Sequence, residues 1–266
     1  MRNWVIPVLA CLLAATAARA TTVTDLYKAQ TYVTGQSNLP ERQRGFRDAL
    51  SEVLVKLTGD IGIKSDPRLQ QALAGVESYV VRFEYEDRMK GIPIHDEQGT
   101  RDRPFFLRVW LDPVKTDALV ASLGRRKWSA ERPSLLVLVA VRDLAGHYLL
   151  DQQVERGYGQ REAFRSTADR FGLPILLPAG SGDPAKVTYA DVAAPQLPAI
   201  AAAKAAFRAD ALLRGTMTVN AKGYWSTGWT LDHGGARKSW HVDNTTFDRA
   251  IARSMATVAR TLAGLN

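Results

Sequence analysis

Apolar residues recur at two periods along this chain, and the switches between the periods lay out its elements. Residues 25–34 (DLYKAQTYVT) alternate as a strand does. Phe46, Ala49, Leu50, Val53, Leu54 and Leu57 then fall at three- and four-residue spacings, which predicts a helix with one apolar stripe. Asn38 is placed to cap it, Pro40 suits its first turn and Gly59 stops it. Arg44, Asp48, Glu52 and Lys56 fall on the polar side as two i, i+4 pairs, each contributing only about 0.2–0.5 kcal/mol. A short helix opening at Asp66-Pro67 with Leu69 and Leu73, strands near 79–85 and 105–111, and a helix from Pro113 to Leu123 follow. The order β-α-α-β-β-α predicts a small α+β domain with helices on one face of a short sheet.

The pattern breaks at residues 124–133 (GRRKWSAERP), where a domain boundary is expected, giving domains at 21–128 and 129–266. The second half opens with SLLVLVAV at 134–141, a continuous apolar run of the kind covered on both faces. A long polar connection, a helix near 160–171, a strand at 174–177, a turn-rich loop and an alanine-rich helix around 199–207 come next. Three alternating segments (ALLRGTMTVN, YWSTGWTL, ARKSWHV) and a helix from Thr246 to Leu262 end the chain. The first three strands of this half can pair in parallel through helical crossovers and the last two add as hairpins. The fold class expected is therefore mixed α/β and α+β in two small domains, the second built on a mixed parallel and antiparallel sheet.

Local turn chemistry fixes where the carboxyl-terminal tryptophans point. Asn220-Ala221-Lys222-Gly223 suits a type I turn with Gly223 left-handed, which sets Val219 opposite Trp225 and Gly215 opposite Trp229. A two-residue turn at Gly234-Gly235 pairs His233 with Ala236 and Trp229 with Trp240. Alternation then gathers Leu213, Met217, Trp229, Leu231 and Trp240 on one face and Arg214, Thr216, Thr218, Ser226 and Thr230 on the other. Phe247, Ile251, Met255, Val258 and Leu262 offer a matching helical cover, with Asn244 as its candidate cap. Trp229 and Trp240 are read as core; Trp225, nearer the hairpin end, stands between core and surface.

The amino terminus changes the expected compartment. MRNWVIPVLACLLAATAARATT joins Arg2, an apolar run and a small-residue Ala18-Arg19-Ala20 ending, the pattern of a cleavable signal peptide over residues 1–20. Cleavage there implies a periplasmic protein; the alternative is a lipoprotein processed at Cys11, the single cysteine. Removing Arg2 and Arg19 takes the formal charge from +8 to +6, a modest bias with acidic and basic residues well mixed. An exported chain of this charge argues for no nucleic-acid partner.

Chemistry-bearing motifs are sparse. The histidines are not at metal-site spacing, His95-Asp96-Glu97 with Asp102 lacks an EF-hand order, and Ala179-Gly180-Ser181-Gly182-Asp183 misses the first glycine of a nucleophile elbow. No catalytic residue, cofactor or metal is assigned. Two places are candidate binding surfaces: Arg125-Arg126-Lys127-Trp128, a basic cluster beside an aromatic that suits an anionic membrane surface or an acidic partner, and Tyr224 with Trp225. The competing reading of the basic cluster is a solvated linker.

On the stretches YKAQTYVTGQSNLPERQRGFRDALSEVLVKLTGD, RPSLLVLVAV, FGLPILLPAGSGDPAKVTYADV and ADALLRGTMTVNAKGYWSTGWTLDHGG, the chain resembles an exported bacterial family known only as domain of unknown function 2066. That resemblance implies no activity and no functional residue. The element order with its closing amphipathic helix is also similar to the N-terminal domain of TolB, which implies a non-enzymatic protein-binding module; fold alone does not fix function. The expected function is a non-catalytic envelope protein that binds a protein partner. The alternative is a cell-wall glycan binder or hydrolase.

Overall fold

The computed structural model describes residues 21–91, 103–153, 155–180 and 185–265. The expected leader with Cys11, the His95-Asp96-Glu97-Asp102 cluster and Ser181 to Asp183 lie outside the described residues. After β1 (Thr21–Thr22), strand β2 (Lys28–Thr34) leads into α1 (Leu39–Thr58). The helix is punctuated as its sequence predicts: the Asn38 side chain accepts from the Glu41 N–H, and Gly59, left-handed at φ 71°, donates to Val55 O. A 3₁₀ turn (Ile61–Ser65), α2 (Leu69–Ala74), a second 3₁₀ turn (Val76–Tyr79), β3 (Val80–Asp87), β4 (Pro104–Leu111) and α3 (Pro113–Ser122) complete this half. The sheet order is β2-β4-β3, antiparallel throughout. Its inner face, with Ala29, Val33, Leu107 and Val109, packs under Phe46, Leu50 and Leu54 of α1. A Cβ at Gly45 would stand 2.6 Å from Leu107 Cδ2 and 2.7 Å from Val33 Cγ1, so the bare backbone lets the helix settle on the strands.

The second half runs β5 (Glu131–Arg132), β6 (Leu135–Asp143), β7 (Gly146–Leu149), α4 (Tyr158–Phe171), β8 (Ile175–Leu176), α5 (Tyr189–Ala193), α6 (Leu197–Ala206), β9 (Ala211–Val219), β10 (Trp225–His233), β11 (Ala236–Thr245) and α7 (Phe247–Leu262). Sheet order is β11-β10-β9-β6-β7, with β8 also on β6. β6 pairs in parallel with both β8 and β9 and is buried from Leu135 to Val141, which makes it the two-sided strand its apolar run implies. β7 corrects the reading of its segment as a polar connection, and α5 fills the stretch between the expected loop and the alanine-rich helix. Asp143 turns the chain by accepting from Ala145 N, and Thr188 with Asp191 forms a capping box for α5.

The hairpin registers are the expected ones: Val219 faces Trp225, Gly215 faces Trp229, and Trp229 faces Trp240. Trp229 is 2 % exposed, its Nε1 donates to Thr227 Oγ1 at 2.8 Å, and its ring meets Phe164 edge-on at 5.9 Å. Trp240 is half-buried and donates to Ser254 Oγ of α7. α4 and α7 cover this face, while α5 and α6 cover Leu136, Leu138 and Leu212 on the other. Asn244 is not the cap of α7; the helix starts after Thr246, and Asn244 sits left-handed at φ 53° within β11.

The segment 124–133 is exposed at residues 124–127, 129 and 131 but is anchored by the buried Trp128 and Arg132. The last carbonyls of α1, α4 and α7 converge on it, and a helix leaves those carbonyls without internal partners. Trp128 N donates to Leu57 O at 2.7 Å; the Arg132 guanidinium donates to Lys56 O, Phe171 O and Ser129 O at 2.9, 2.7 and 2.6 Å; Arg126 donates to Ala263 O at 2.9 Å. Cations at three helix carboxyl ends also oppose the negative poles of their dipoles. Asp60, buried, accepts from Arg260 at 2.7 Å and pairs with Arg125 at 3.3 Å. One apolar core consequently extends from Leu26 to Ala263 across the expected boundary.

Candidate functional site

Strand β2 is an edge strand, and its outward backbone groups define the site. Leu111 N donates to Tyr27 O, so odd-numbered residues turn their backbone toward β4 and even-numbered ones away. Three of the outward groups are closed by side chains of α1. Lys56 Nζ donates to Lys28 O at 2.8 Å, Arg44 donates to Tyr32 O at 2.6 Å, and Thr34 N donates to Glu41 at 3.2 Å. Between these caps the N–H and C=O of Gln30 have no partner among the described residues. A cleft of about 920 Å³ opens beside this gap, walled by Asp48 and Glu52 of α1 and by Asp169 and Arg170 of α4.

The charges along the cleft are largely consumed in pairs. Arg44 reaches Glu41 and Asp48 at 2.7 and 2.8 Å, while Glu52 meets Lys64 at 2.7 Å and Arg170 at 3.1 Å. Lys56 is pushed below the usual lysine range by burial, opposed by nearby Asp169, and Asp169 is itself raised by burial. Both shifts follow from desolvation, which disfavours the charged form. The Lys56 ammonium spans two carbonyls, those of Asp25 and Lys28, and so acts as an edge cap.

Glu41 is the group most displaced here: the Arg44 hydrogen bond, with smaller help from Thr34, holds its carboxyl at about 2. Because the folded value lies below the unfolded one near 4.5, the clamp on the β2 edge is complete above pH 4.5 and is lost as pH falls through about 2. A carboxyl-carbon NMR titration should find Glu41 still ionised at pH 3, and Arg44→Ala should return its midpoint toward the ordinary glutamate range. A wild-type midpoint already in that range would remove the clamp.

The outer face of the same sheet interleaves rings and cations. Tyr32 and Phe106 lie 5.3 Å apart with Arg88 over both, and Trp110 sits between Lys28 and Arg82 at 5.3 and 4.7 Å. Sequence reasoning missed this face, since in PFFLRVWL both strand faces carry apolar residues; Phe106, Arg108 and Trp110 at period two are the signal that separates them.

The residues singled out from sequence do not form one surface. Trp128 is buried beneath the Arg132 guanidinium, whose carbon stands 3.7 Å from the ring centre. Arg125 and Arg126 are engaged with Asp60 and Ala263 O, and Lys127 pairs with Asp117 at 2.7 Å. All three cations are exposed while they hold these intramolecular partners. Trp225 is buried edge-on to Phe247 at 6.2 Å, whereas Tyr224 is 45 % exposed at the β9–β10 turn. Among the described residues no group of three or more histidine, cysteine or carboxylate side chains is arranged to hold a metal, and no helix is long and apolar enough to cross a membrane.

Residues 20–129 match the family described as Domain of unknown function (DUF8605). The chain is thus similar to an uncharacterised family, and the match names neither domain of unknown function 2066 nor the TolB N-terminal domain. No curated protein matches. A solved structure described as "Crystal structure of uncharacterized protein" aligns over 50 % of this chain and 90 % of its own, at 12 % identity and a TM-score of 0.23.

Proposed function

We propose that this chain is a non-catalytic, exported protein of the cell envelope that binds a protein partner by accepting an extended segment on the free edge of β2. The observation that carries the proposal is the unpaired N–H and C=O of Gln30, set between the Lys56 and Arg44 caps beside an open cleft. An added strand satisfies both groups with main-chain bonds, the mode in which affinity comes from backbone and selectivity from alternate side chains. Its outward residues lie next to Lys28 and Tyr32, which favour acidic and apolar neighbours there. The pairing of the cleft's charges speaks for binding over acid–base chemistry, and the leader and the TolB-like element order support the compartment and the class.

Proline at an outward position of an edge strand leaves the ladder intact and removes only the outward N–H. Gln30→Pro should therefore keep the melting temperature and abolish binding of peptides selected on the wild-type protein from a displayed library. Those peptides should protect the Gln30 amide from hydrogen exchange. Peptides that bind Gln30→Pro equally, or leave that amide unprotected, would overturn strand addition.

A further inference from the structure

The β9–β10 turn carries a second cavity, and we propose that it is a saccharide site holding a pyranose ring against Tyr224. This goes beyond the strand-binding reading and does not depend on it. Asn220, Lys222, Tyr224 and Asn244 line an open pocket of about 620 Å³. Tyr224 is a large exposed ring at a tight turn, where packing asks nothing of it. The Asn220 carbonyl oxygen Oδ1 accepts from the N–H groups of Lys222 and Tyr224 at 2.9 and 3.1 Å, which fixes the amide plane. Its Nδ2 donors have no partner among the described residues.

Asn244 reaches the pocket from another strand by a backbone irregularity. Trp225 faces Thr245 but Thr227 faces Val242, so β11 holds one residue more than β10 at this point. Asn244 lies in that insertion, left-handed at φ 53°. Bulges of this kind re-aim a side chain, and asparagine tolerates the conformation better than most residues. The result is one aromatic face, two planar amides and a lysine around a shallow opening. Amides offer the paired donor and acceptor that adjacent ring hydroxyls require, and an aromatic face takes the C–H side of a sugar. A shallow, open shape suits one residue of a longer glycan better than an enclosed small molecule.

The test is an NMR titration of the full chain with tetramers of N-acetylglucosamine and of glucose. Saturable shifts should appear at the Lys222, Tyr224 and Asn244 amides with at least one of the two. Tyr224→Ala should weaken that binding about tenfold through lost stacking. Asn244→Gly is the decisive variant, since glycine accepts φ 53° and preserves the fold while removing one amide. It should weaken binding about fivefold, with the melting temperature held and with Gln30→Pro binding as wild type. Absence of a saturable shift with either tetramer, or equal affinity of Asn244→Gly and wild type, would overturn the assignment.

Discussion

Arg132→Ala is expected to lower the unfolding free energy by about 3–5 kcal/mol, since it leaves three carbonyl acceptors without their charged donor at about 1–3 kcal/mol each. Arg132 is fully buried and has no carboxylate against it among the described residues; burial pushes its pKa down to about 10, so it stays protonated at neutral pH. What holds the charge is a set of carbonyls: Lys56 O and Phe171 O at two helix ends and Ser129 O beside them. Deleting the guanidinium strands those acceptors and uncovers the Trp128 ring. Arg132→Lys should recover less than half of the loss, because a single ammonium cannot span three acceptors and stack on an indole at once. Denaturant midpoints measure both; values within about 1 kcal/mol of wild type would show that the convergence of helix ends contributes little.

Gly215→Ala comes next, at about 3 kcal/mol. The added methyl would stand 2.2 Å from Cζ3 and 2.4 Å from Cε3 of Trp229, well inside van der Waals contact. The indole has little room to withdraw, since its N–H is tied to Thr227 and Phe164 packs on it. Trp229→Leu alone should cost a similar amount by leaving a cavity. The double variant should lose at least about 1 kcal/mol less than the two single losses combined, since the methyl then enters space the ring has left. Strict additivity would mean that the contact is relieved elsewhere in the sheet.

Local chemistry made much of this fold legible. Asn38, Pro40 and Gly59 mark the ends of α1 within a few residues of the side chains and backbone groups they serve, and Gly223 with Gly234-Gly235 sets the register of three strands. Where the partner is distant in sequence, spacing is silent. Arg132 meets Lys56 O across 76 residues and Arg126 meets Ala263 O across 137, so the sequence showed RRKW as a basic cluster, which Arg125, Arg126 and Lys127 are at the surface, without showing the distant partners that hold it. β7 escaped notice because four residues, GHYL, carry too little alternation to stand out from a polar connection. Tyr224 was visible as a candidate from its place beside a turn. Asn244 was read as a helix cap, and only the extra residue in β11 puts it beside that ring.

Arg260 of α7 reaches Asp60 across 200 residues, and Ala263 seals Gly59 at the end of α1. Synthesis proceeds from the amino terminus, so the first half emerges long before the helix that completes it. Until the final turn of the chain arrives, the exit of α1 lacks its seal and Asp60 lacks Arg260. The contacts between α7 and the exit of α1 are therefore the last to form as the chain is made, whatever the first half has already built.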